Sequence, residues 1–153
     1  MASEASKEAA VNTWKTVVVG VDGSPSSRKA LIWAAAEAAD HGADLFVLNI
    51  WEHTLLPPAG SVSVSERYVP DPSQRTTDDL LKVIKEELGD DPPIRVQAQV
   101  KQGRPAKVLI EDSAGADLLV VGERGHGGFA GLVLGSVSQH VAAYAKCPVT
   151  VVR

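Results

Sequence analysis

Two short runs with almost no polar interruption limit what this chain can fold into: Lys15–Val21 and Asp117–Val121. Strands buried on both faces read this way, and they belong to parallel sheets covered by helices. Asp44–Trp51 reads as a further strand, and Pro148–Val152 as the last. Ile94–Val100 alternates apolar residues with Arg and Gln, so it is a half-buried strand nearer the sheet's edge. Helical spacing fills the gaps. Ser24 suits an N-cap and Pro25 a first helical position, and His41-Gly42 closes that helix. Leu31, Ala34, Ala35 and Ala38 form its inner stripe. A second helix opens at Thr76 or Thr77 and runs to Leu88, with Leu80, Leu81, Ile84 and Leu88 inward. A third covers Pro105–Ser113. The fourth begins at Ser136 and runs to Lys146, with Val137, Val141, Ala142 and Ala145 inward. Strands and helices therefore alternate five and four times. Right-handed crossovers make this an α/β chain: an open parallel sheet with helices on both faces, Rossmann-like in its three layers.

The chemistry concentrates between Asp117–Val121 and the last helix. There the chain reads Gly122-Glu-Arg-Gly-His-Gly-Gly-Phe-Ala-Gly-Leu-Val-Leu-Gly135-Ser136. A buried strand, a glycine-rich loop and a helix N-terminus follow one another. Glycines let backbone approach a ligand closely. The helix start adds free N–H groups and the positive end of a dipole. Main-chain N–H groups around Gly125, Gly127 and Gly128 are placed to contact the phosphates of a nucleotide. Gly135 permits close approach, and Ser136 and Val137 offer N–H groups at the helix start. Arg124 can neutralise charge. Ser136 and Gln139 have the spacing of a capping box, which sets helix capping against phosphate binding at one hydroxyl. Asp22 ends the first strand. It is open to two roles, a turn carboxylate or a bond to a ribose or a metal ion. Arg104, at another strand-to-helix turn, either faces the site or is solvated.

Gly122, Gly125 and Gly135-Ser136 fit G-x2-G-x9-G-[ST], which resembles the nucleotide-binding signature of the universal stress protein family. Val17–Ser24 and Cys147–Arg153 resemble that family's two ends. The resemblance covers Lys15–Arg153 and is weakest between His53 and Pro72. It implies a five-stranded sheet of order 3-2-1-4-5, which brings Asp22 beside the Gly122 loop at a topological switch point. It also implies that Gly20, Val21 and Asp22 belong to the site and that the backbone at Ile50 meets an adenine ring. The implied ligand is ATP with Mg²⁺, and the implied assembly a homodimer through the C-terminal edge strand. Glu123 stands where the family would have a small polar residue, which leaves AMP or a cyclic nucleotide open.

Among other patterns, no Walker A motif and no G-x-G-x-x-G after the first strand occur. His126 and His140 have no evident nucleophile partner, so no catalytic residue is assigned. The formal charge of −4 argues against nucleic-acid binding, which needs a basic face. A lone cysteine, Cys147, fits a reducing cytosol and reads as a packing residue. No apolar stretch reaches the roughly 18 residues of a membrane span, and the start lacks a signal-peptide pattern. Residues 1–13 read as a flexible tail and residues 14–153 as one domain. The proline-rich stretch His53–Ser73 reads as a crossing over the sheet's edge.

Three functional classes follow. The first is a regulatory ATP-binding module of the cytoplasm, acting in a stress response. The second is a slow ATPase or self-phosphorylating protein. The third is a dimeric interaction module with an unused site.

Overall fold

In a computed structural model, residues 13–52, 72–125 and 134–153 are described. Strands β1 (Thr16–Gly20), β2 (Asp44–Trp51), β3 (Val96–Gln102), β4 (Leu118–Gly122) and β5 (Val149–Val152) alternate with helices α1 (Pro25–His41), α2 (Pro72–Leu88), α3 (Pro105–Asp112) and α4 (Ser136–Tyr144). The strands form one sheet of order β3-β2-β1-β4-β5, and every pairing is parallel. The expected topology is therefore present.

Alternation along the central strands builds two cores. Val17, Val19 and Val21 of the first strand segment, with Leu45, Val47, Leu118 and Val120, pack with Leu31, Ala34 and Ala38 of α1 and with Leu80, Val83 and Ile84 of α2. Val18, Leu48, Leu119 and Val121 point to the opposite face, toward Leu109 of α3 and Val141 of α4. Strands β1 and β4 are covered on both sides, which is why their sequences carry no polar alternation. Cys147 is half-buried and packs in the second cluster, as expected of it.

Several expected boundaries and faces differ. Helix α2 starts at Pro72, before Thr76 and Thr77, because proline suits a first turn whose N–H groups have no helical acceptor. Strand β3 lies two residues later than expected. Ile94 packs against the core before the strand begins, and a Gly103 N–H to Trp51 C=O bond of 2.9 Å carries the ladder past Val100. Leu81 is 51% exposed, whereas Val83 is buried in its place. Ala142 is exposed, and the inner face of α4 is Ser138 and Val141. Helix α4 stops at Tyr144 rather than Lys146. Ala145 is already extended (φ −60°, ψ 147°), in a chain about to enter Cys147-Pro148. The capping box is also absent: Gly135 is the N-cap, with no side-chain cap bond, and Gln139 Nε2 donates to Leu134 C=O at 2.9 Å.

The tail expected over residues 1–13 and the crossing expected at His53–Ser73 fall almost wholly outside the described residues.

Candidate functional site

A cleft of about 390 Å³ opens at the C-terminal ends of β1 and β4. This is the switch point of the sheet, since β1 connects outward to β2 on one side while β4 lies on its other side. Ten expected site residues line it: Gly20, Val21, Asp22, Ile50, Gly122, Arg124, Gly125, Gly135, Ser136 and Val137. Gly127, Gly128 and His126 lie outside the described residues. The lining also includes Ser27, Leu48, Pro105, Leu109, Val121 and Ser138, which sequence reasoning did not place there. Leu48, Leu109 and Val121 carry no local signal of a site. Their apolar pattern is that of core residues, and only the packing leaves one side of each open.

Asp22 is presented by the turn that joins β1 to α1. Gly23, with φ 84°, takes the left-handed conformation that lets the chain reverse there. The Asp22 Oδ1 atom accepts the Ser24 N–H at 2.9 Å and the Ser24 hydroxyl at 2.5 Å. Its Oδ2 atom faces the loop, only 2.5 Å from where a Cβ on Gly125 would sit. The start of α1 also touches the first residues of the loop. The Arg124 N–H donates to Ser26 Oγ at 3.3 Å, and a Cβ on Gly122 would lie 2.7 Å from the Ser26 carbonyl carbon. Two segments a hundred residues apart in sequence are thus interlocked at the mouth of the cleft.

The amides sort into two groups. Those of Glu123 and Gly135 are already used: Glu123 N–H bonds Val152 C=O at 2.8 Å, and Gly135 N–H bonds Glu123 C=O at 2.7 Å. Val21 is likewise engaged at both ends, its N–H with Leu48 C=O and its C=O with Asn49 Nδ2, each at 2.8 Å. It contributes wall rather than donor. Among the described residues, the amides of Gly125, Ser136 and Val137 find no acceptor. For Ser136 and Val137 the reason is general, because the first N–H groups of a helix have no carbonyl below them. These three donors, the N-terminus of α4 and the Arg124 side chain make the loop side of the cleft positive. Asp22 is the carboxylate that lines the described part of the cleft.

Other candidates stand apart. Glu123 does not line the cleft, so its carboxylate does not confront an anion bound there. Arg104 is 83% exposed and lies 3.9 Å from Glu52, outside the lining. His140 is exposed on α4 and meets the Tyr144 ring at 4.9 Å. Among the described residues, no group of three or more His, Cys, Asp or Glu is placed to hold a metal ion. No helix among them is long and apolar enough to cross a membrane.

Comparison with known proteins agrees with this architecture. A universal stress protein of Thermus aquaticus is 37% identical over 142 residues, covering 92% of this chain and 99% of that one. A universal stress protein of Mycolicibacterium smegmatis is 36% identical over 147 residues, covering 95% of this chain and 48% of its own length. The chain thus spans about half the length of that relative. Among solved structures, a universal stress protein in complex with cAMP is 31% identical, with a TM-score of 0.62 over 92% of this chain and 98% of that one. The model of the Universal stress protein family matches residues 13–153, and the chain belongs to that family.

Proposed function

We propose that the cleft binds an adenine nucleotide, with ATP as the first candidate, and that the chain works as a regulatory nucleotide-binding module in a stress response. The observation that carries this reading is the set of amides at Gly125, Ser136 and Val137 that find no acceptor among the described residues, gathered opposite the Asp22 carboxylate. Amides without internal acceptors, at the positive end of a helix, suit phosphate oxygens. A carboxylate suits the ribose hydroxyls, which donate to it. The apolar wall of Leu48, Ile50 and Leu109 suits a base, with the Ile50 main chain along its edge. Arg124 offsets phosphate charge. Gly127 and Gly128 extend the phosphate cradle in this reading, on the strength of the sequence alone. The likeness to the cAMP complex supports an adenine nucleotide.

Mg²⁺ would enter with the triphosphate, and Asp22 is the cleft residue that would hold it. The protein acts in the cytoplasm as a homodimer joined along β5, and no residue is assigned a catalytic role. Calorimetry with ATP–Mg²⁺, AMP and cAMP tests the assignment. Saturable heat with ATP–Mg²⁺ is expected. Tighter binding of cAMP or AMP would keep the nucleotide and replace ATP. No heat from any of the three at millimolar concentration would remove the reading.

A further inference from the structure

We propose that Ser138 is a positioning residue that clips the two ends of the glycine loop together and so sets the amides that meet phosphate. The inference rests on the nucleotide reading above. Ser138 is only 2% exposed, on the inner face of α4. Its hydroxyl donates to Glu123 C=O at 2.8 Å and lies 3.1 Å from Gly135 C=O. Glu123 C=O also accepts the Gly135 N–H at 2.7 Å. Residues 123 and 135 are therefore tied across the base of the loop. The same Glu123 peptide is anchored to the sheet by its N–H bond to Val152. One end of the loop belongs to the sheet and the other to α4, and the Ser138 hydroxyl is a side-chain link between them.

That link bears on binding because of what adjoins the two tied residues. Gly125 lies two positions after Glu123, and Ser136 and Val137 directly follow Gly135, so the placement of their amides depends on how firmly the ends are held. Apparent affinity scales with the fraction of free protein whose site is already competent. Overall stability does not report this role. Alanine at Ser138 is the better helix former, and that gain offsets much of one lost hydroxyl bond.

The test uses the full chain and the variants Ser138→Ala and Ser138→Thr. Amide exchange at Gly135 is followed by NMR, and affinity is measured for ATP–Mg²⁺ and for adenosine, which lacks phosphate. In Ser138→Ala, Gly135 exchange is expected to quicken and ATP affinity to fall, each about fivefold for one lost hydrogen bond. Adenosine affinity should fall clearly less than ATP affinity, and Tm should hardly move. Ser138→Thr, which keeps the hydroxyl, should recover the ATP affinity. Unchanged Gly135 exchange in Ser138→Ala overturns the clip, and equal weakening of ATP and adenosine overturns its phosphate role. Wild-type protein that binds neither ligand removes the nucleotide reading itself, whatever Gly135 does.

Discussion

Gly122 and Gly125 stand three residues apart and meet different kinds of neighbour. A Cβ at Gly122 would lie 2.7 and 2.8 Å from the Ser26 carbonyl carbon and oxygen, which are backbone atoms of α1. Backbone in a packed helix does not yield cheaply. Gly122→Ala is expected to destabilise the fold by about 1–3 kcal/mol through overpacking, read as a lowered Tm with no ligand present. Among the described residues, a Cβ at Gly125 would meet the Asp22 carboxylate alone. Asp22 and Gly125 are both exposed, so the side chains can separate without disturbing the core. Gly125→Val should therefore leave Tm within a few degrees and abolish ATP binding in calorimetry. Unchanged affinity would count against the loop assignment. Ser136 is a further case. Its expected conflict between capping and phosphate binding does not arise, because Gly135 takes the cap position and leaves the Ser136 hydroxyl and amide to the cleft.

At the scale of elements, the N-terminus of α1 has two tasks. Ser24 caps the helix by accepting the Ser27 N–H at 3.3 Å, and the same hydroxyl donates to Asp22. Helix start and site carboxylate are thus set by one residue. Strand β5 ends the sheet and is half-buried along its length. The carbonyls of Pro148 and Val152 bond β4, so by the alternation of parallel strands the polar groups of Val149 and Val151 point to the outer edge. A short apolar edge of this kind favours pairing with a second copy. Light scattering at tens of micromolar should give twice the chain mass. Val151→Pro, which removes an outward N–H, should give one chain mass. A monomeric wild type would contradict the proposed dimer.

Across the whole molecule, Asp117 ties the beginning of the domain to the strand that feeds the loop. Its Oδ2 atom accepts the N–H groups of Lys15 and Thr16 at 2.7 and 2.9 Å. Those two bonds hold its carboxyl below the usual carboxylate range. A depressed folded-state value means that the stabilisation is present above the unfolded-state value, near pH 4, and is lost as pH falls through the folded one. Asp117→Asn should cost about 1 kcal/mol at neutral pH, with the gap to wild type closing below about pH 4. Melting curves from pH 2 to 7 measure this, and a gap independent of pH would refute it.

Much of this was legible in order along the chain. The unbroken apolar runs of β1 and β4 announce strands covered on both faces, and the two glycine-bearing turns announce where a ligand would sit. Segment ends were less legible, because the end of β3 at Gln102 is placed by its pairing with Trp51 rather than by local preference. Helix faces erred where two spacings compete, as at Leu81 against Val83 and at Ala142 against Ser138. The sequence by itself determined the class of fold, the family and the residue types available to an anion. Only the tertiary structure decided which amides are free. Gly135 and Gly125 look alike as letters, yet Gly135 gives its N–H to Glu123 while the Gly125 N–H finds no acceptor among the described residues. That difference comes from a hydrogen bond that closes the base of the loop, and no local pattern records it.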